Sequence, residues 1–118
     1  MLNDFEARVR IALSTANEPF LFHTGIGKEY YTGTMVWTLK GFIKALEEVN
    51  VKAVKFHVGN GDFESWAKTS LRDTKLALQI KALNPEEEAG KLRETIVEAA
   101  KKRYKTLSKE LEDATQLF

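Results

Sequence analysis

Three polar or amphipathic side chains near the middle of the chain, His57, Asp62 and Trp66, stand close enough in sequence to act together, and Tyr31 could join them from an earlier segment. An aspartate that holds one imidazole nitrogen fixes the tautomer and frees the other nitrogen to act as a general base or a ligand. The chemical reading is therefore a pocket of His57, Asp62, Trp66 and Tyr31 serving a small-ligand binder or an enzyme. The same residues have a plainer account. Asp62 caps a helix beginning at Phe63, His57 bonds a loop carbonyl, and Trp66 fills the core. Asp62-Phe63-Glu64 is ordinary first-turn composition, so the plainer account is preferred and no catalytic residue is assigned.

Other patterns carry less. His23, His57 and Asp62 form a two-histidine, one-carboxylate set of a type that binds metals. No helical His-x-x-x-His spacing supports it, so no metal and no cofactor are expected. Thr24-Gly25-Ile26-Gly27-Lys28 hints at a phosphate loop, but Glu29 follows the lysine and the Gly-x-x-x-x-Gly-Lys-Ser/Thr frame is missing. Lys101, Lys102, Arg103 and Lys105 surround Tyr104 and could contact nucleic acid weakly. On a helix they spread over more than one face, and Glu98 can pair with Lys102 at i,i+4, so a solvated face is the expected account.

Composition narrows the classes further. A chain of 118 residues suits one domain, and its core needs no covalent staples. The absence of cysteine excludes disulfides and thiolate metal sites and suits the cytoplasm. Eighteen basic and 17 acidic residues leave a net charge of +1, whereas dedicated nucleic-acid binders carry a strong basic excess. MLNDFEARVRIALSTA mixes acids with apolar residues and does not read as a signal peptide. No apolar run reaches the ~20 residues that span a bilayer.

The elements that must position these residues are mainly helical. A first helix is expected from Asn3 to about Ser14. Phe20 to Trp37 is rich in β-prone residues broken by glycines, and fits either a small hairpin or an extended strap over helices. Thr38 caps a helix whose stripe is Leu39, Phe42, Ile43, Leu46 and Val49, ending near Asn50. Val51 to Val58 fits a strand or a short helix, and the helix is preferred because its neighbours are helical. Gly59-Asn60-Gly61 is a turn. Asp62 and Asp73 then start two helices with inward Phe63, Trp66 and Leu71, and Leu76, Ala77 and Ile80. Asn84-Pro85 followed by three glutamates starts the last helix, about 85–113. Its seam of Leu92, Ile96, Ala100, Tyr104, Leu107, Leu111, Ala114 and Phe118 steps by three or four. Such a helix, roughly 45 Å at ~1.5 Å per residue, must either break or overhang and meet a partner.

With these elements placed, Pro19 to Leu83 resembles an uncharacterised prokaryotic family of small domains of unknown function. The matching residues are Pro19-Phe20-Leu21-Phe22, Thr24-Gly25, Thr38-Leu39, Phe56-His57, Gly61-Asp62-Phe63-Glu64, Trp66, Leu71, Asp73, Leu76-Ala77 and Ile80. The resemblance implies no activity. This chain departs from the family with Lys40-Gly41 in place of an acidic pair, Asn60 in place of a basic residue, and Arg72 in place of a glycine.

The expectation is a mainly α, single domain of four to six helices packed as an orthogonal or bundle-like unit. It carries a short extended or hairpin segment near 20–37 and a long C-terminal helix. The leading function is a non-enzymatic accessory or protein-interaction module. Its face would be Tyr104, Leu107, Leu111, Leu117 and Phe118, and its partner a second copy or another protein. No membrane partner is expected.

Overall fold

The computed structural model describes residues 15–116. The expected helix before Ser14 and the terminal Leu117 and Phe118 lie outside them. Two antiparallel strands come first, β1 (Phe20–His23) and β2 (Tyr31–Val36), joined through a single 3-10 turn at Lys28–Tyr30. Five helices follow among the described residues: α1 (Leu39–Glu48), α2 (Val51–Asn60), α3 (Asp62–Thr69), α4 (Thr74–Lys81) and α5 (Ala89–Gln116). The expected mainly helical class is thus observed, and the 20–37 segment is a hairpin. Val51–Val58 lies in a helix. No described helix is long and apolar enough to cross a membrane.

Local chemistry explains most boundaries. The Thr38 hydroxyl accepts the Gly41 N–H at 3.0 Å and starts α1. Asn50 both follows α1 and starts α2, its side chain accepting from the Lys52 N–H at 2.9 Å. Asp73 starts α4 by accepting from Leu76 N–H at 3.2 Å. Arg72 just before it has φ 61°, a left-handed conformation that costs a residue with a Cβ and that glycine adopts freely.

Two expected starts are corrected. Asp62 does not cap α3. Gly61 holds the N-cap position and the Asp62 carboxylate turns back to His57 instead. The last helix begins at Ala89, not at Pro85. Asn84 accepts from Glu86 N–H at 3.0 Å, and Lys55 Nζ donates to the carbonyls of Pro85 and Glu87, both at 2.6 Å. These bonds hold 84–87 as a turn. Glu88 then supplies the cap, its carboxylate accepting from Gly90 N–H at 2.8 Å.

The core is one cluster drawn from every described helix and both strands, with Phe22, Phe42, Phe63, Val54, Ile96 and Leu76 fully enclosed. Helix α5 is unbroken over 28 residues, about 42 Å, close to the 48 Å long dimension of the molecule. It packs against α1, α2 and α4. Arg93 from α5 donates to the Glu47 and Val49 carbonyls at the end of α1, where a cation suits the helix dipole. Farther along, Arg103 Nε donates to Asp73 Oδ2 at 2.8 Å, with both side chains largely withdrawn from solvent. Asp73 thus caps α4 and anchors it to α5 at once.

Candidate functional site

His57 sits near the end of α2 among aromatic rings, and only 3% of it is exposed. Phe20, Phe22, Phe56 and Phe63 have ring centroids 4.7 to 6.0 Å from the imidazole. Both ring nitrogens are engaged. The backbone N–H of His23 donates to Nε2 at 2.8 Å, so Nε2 carries no proton. Nδ1–H therefore donates to Asp62 Oδ2, also at 2.8 Å. Asn60 Nδ2 adds donors at 3.1 Å to both Asp62 oxygens.

Gly61 makes this geometry available. At φ 75° it ends α2 and turns the chain into α3, which places Asp62 back over His57. An added Cβ at Gly61 meets nothing within 4 Å, so only the backbone resists substitution. Gly61→Ala is expected to lose about 1–2 kcal/mol, read as a lower urea midpoint with an unchanged slope.

Burial in the aromatic nest pushes the His57 pKa below its ordinary 6.5, against the hydrogen bond and charge of Asp62, which raise it. A neighbouring His23 adds to the lowering. The ring is thus a neutral hydrogen-bond bridge between β1 and α3. Asp62 orients His57 as the chemical reading expects, but the nitrogen left over faces the His23 amide instead of a cavity. His57 could serve as base or ligand only by giving up that bond. His23, His57 and Asp62 do not form a ligand cluster.

The other two expected pocket residues, Trp66 and Tyr31, approach the His57–Asp62 pair through shared neighbours. Trp66 is buried, and its indole N–H donates to the Glu18 carbonyl at 2.8 Å. Phe20 contacts both Trp66 and His57, at 5.7 and 4.7 Å between centroids. Tyr31 is 38% exposed and leans on the His23 ring at 5.3 Å. The four residues share one neighbourhood, linked by Phe20 and His23.

The C-terminal residues are also redistributed. Leu107 is buried in the domain's own core, and Tyr104 and Leu111 pack against that core. Leu107 is thereby withdrawn from solvent, while Tyr104 and Leu111 stay partly exposed. Within the basic run, Arg103 is engaged by Asp73, and Lys101 lies 3.3 Å from Glu47. A shallow groove of about 430 Å³ on α5 has Glu94, Val97, Glu98, Lys101, Lys102 and Lys105 among its lining, a mixed-charge surface.

A different surface stands out in three dimensions. The hairpin buries Phe20, Phe22 and Val36 against the helices and turns Leu21, Met35 and Trp37 outward, at 39%, 50% and 41% exposure. Leu21 and Met35 are direct cross-strand partners. Tyr31, opposite His23, extends the strip, and Tyr30 and Ile26 flank it from the connecting turn, with Ile26 the most exposed apolar residue of the group. Opposite Phe22 the register breaks, and β2 bulges through Gly33 at φ 88° while the Thr32 hydroxyl donates to the Phe22 carbonyl at 2.8 Å. The signal for this surface was the phase of the apolar residues. Phe20-Leu21-Phe22 and Met35-Val36-Trp37 are apolar in both phases of a strand, so a hairpin with one face on helices must leave apolar residues on the other.

No protein-family model, curated protein or solved structure matches this chain.

Proposed function

We propose that this domain is a protein-interaction module that self-associates through the outer face of its hairpin. The observation that carries the reading is the exposed strip of Leu21, Tyr31, Met35 and Trp37, flanked by Ile26 and Tyr30. Aromatic residues and methionine are the types enriched at interface centres, and isolated exposed apolar residues would need no such explanation.

Charge favours a second copy as the occupant. Between Phe20 and Trp37 the only formal charges are Lys28 and Glu29. A two-fold interface sets a patch against itself, so a patch of one sign would repel its twin. This one is neutral, and adjacent Lys28 and Glu29 can pair reciprocally with Glu29 and Lys28 of the second copy. The cysteine-free composition suits a cytoplasmic setting for such an assembly.

The enzymatic alternative has less support, because both His57 nitrogens are already bonded within the domain. Nucleic-acid binding through 101–105 has less support because Arg103 is tied to Asp73. Self-association through Leu107 would require uncovering the core.

Sedimentation velocity tests the reading across roughly 1 μM to 1 mM, a span covering ordinary protein associations. Wild type is expected to move from monomer toward dimer. Met35→Lys is expected to remain monomeric throughout, with its thermal midpoint within a few degrees of wild type because half of Met35 already faces solvent. A wild-type protein that stays monomeric at the highest concentration overturns the reading.

A further inference from the structure

We propose that His57 is a proton-operated latch on the docking hairpin: protonation at Nε2 sets the ring N–H against the backbone N–H of His23 and releases β1 from α2. The proposal deepens the self-association reading and rests on it for its functional meaning, since the hairpin carries the proposed docking strip.

The geometry allows little compromise. At 2.8 Å from the His23 nitrogen, Nε2 can stay in place only as an acceptor. A flip of the ring does not help, because the second nitrogen is bonded to Asp62 and a doubly protonated ring has no acceptor at either position. The imidazolium keeps its attraction to Asp62, so the bond that fails is the one to the strand. The part-buried His23 amide is then left without its acceptor, beside the aromatic rings that surround His57. Moving β1 outward relieves both groups. It carries Leu21 and, through the hairpin pairing, Met35 with it.

Among the described residues the titratable groups facing the ring are Asp62 and His23, which fixes the direction of the response. Asp62 from α3 favours the charged ring and His23 from β1 disfavours it, while the remaining neighbours are phenylalanine rings. Burial lowers the folded-state pKa below 6.5. The neutral ring therefore holds the latch fully closed above that value. Closure weakens as pH falls from 6.5 toward the lowered value, because the released state takes up the proton more readily.

Amide hydrogen exchange, corrected for the intrinsic rate at each pH, reads the latch in the Met35→Lys variant, where dimer formation does not interfere. The His23 amide is expected to lose at least ~10-fold of its protection between neutral and mildly acid pH, while Leu76, Ile96 and Ala100 in α4 and α5 keep theirs. The midpoint should coincide with titration of the His57 ring followed by its nitrogen resonances. Asp62→Asn should shift that midpoint to lower pH, and His57→Gln, which offers an oxygen acceptor and no titration, should abolish the response. If the Gln variant does not fold, the coincidence of the two wild-type-ring midpoints decides the matter alone.

Undiminished protection of His23 after the ring has titrated overturns the latch. Simultaneous loss at His23, Leu76, Ile96 and Ala100 overturns it too, in favour of global acid unfolding. Neither result bears on dimerisation at neutral pH. Conversely, a monomeric wild type with a pH-sensitive His23 amide removes the docking reading and leaves the latch standing.

Discussion

Asp73→Ala is expected to lower the unfolding free energy by about 3–5 kcal/mol, the usual cost of removing one partner of a buried ion pair. Two functions are lost together. Leu76 N–H gives up its cap, and Arg103, with 15% of its side chain exposed, keeps a guanidinium with no countercharge. For a domain of this length the total stability is on the order of 6–18 kcal/mol, so the variant should remain folded with a clearly lower urea midpoint. Two further variants separate the contributions. Asp73→Asn keeps an oxygen for the Leu76 amide and loses only the charge, so it should cost less. Adding Arg103→Met to Asp73→Asn removes the stranded cation and should recover part of the loss. Urea unfolding of the three variants measures each step. An Asp73→Ala protein within about 1 kcal/mol of wild type would show that α4 is not held to α5 through this pair.

Phe42→Ala is expected to cost a similar 3–5 kcal/mol. Its ring is fully buried and touches Phe20, Phe22, Phe63 and Trp66 at centroid distances from 5.2 to 6.1 Å. One side chain on α1 thus supports the inner face of the hairpin and the first turns of α3. Truncation forfeits the transferred surface, leaves a cavity in a nest whose other rings cannot collapse freely, and removes edge-on aromatic contacts. Phe42→Leu retains most of the volume and should lose clearly less. Because β1 rests on this ring, Phe42→Ala should also raise amide exchange in Phe22 more than in Ile96. Equal changes at both positions would show that the nest does not specifically seat the hairpin.

The helices were largely legible because their signals are local. Thr38 and Asp73 are caps whose oxygens find amides three positions on, and Leu39, Phe42, Ile43 and Leu46 repeat with the period of a helix face. What was hidden depends on partners distant in sequence. Asn84-Pro85 has the composition of a helix start, yet Lys55, thirty residues earlier, captures the Pro85 carbonyl and the helix waits until Ala89. Val51–Val58 satisfies strand and helix periodicity alike, and Asn50, whose position after α1 suggests only an ending, also caps α2.

The candidate site shows the same division. The His57–Asp62 pairing was readable, because only four residues, the last turn of α2 and Gly61, separate them. That the opposite nitrogen meets the His23 amide was not readable, since no spacing rule links positions 23 and 57. This one contact turns a plausible base into a structural bridge. Leu107 followed an interaction seam in sequence, but the packing of α5 on the other helices draws it into the core. The exposed surface instead lies where strand residues are apolar in both phases, a pattern that acquires meaning only once one face is known to be covered.

The central claim is that the hairpin's outer face meets its own twin. Because the chain has no cysteine, Lys40→Cys, exposed just beyond the end of β2 and outside the docking strip, carries a single nitroxide close to that face. Pulsed electron–electron dipolar spectroscopy at high protein concentration and neutral pH then reads contact between copies directly. A narrow intermolecular distance distribution that disappears on adding Met35→Lys is the expected result. A featureless decay typical of independent monomers, or a distance indifferent to Met35→Lys, would contradict the assignment of this face.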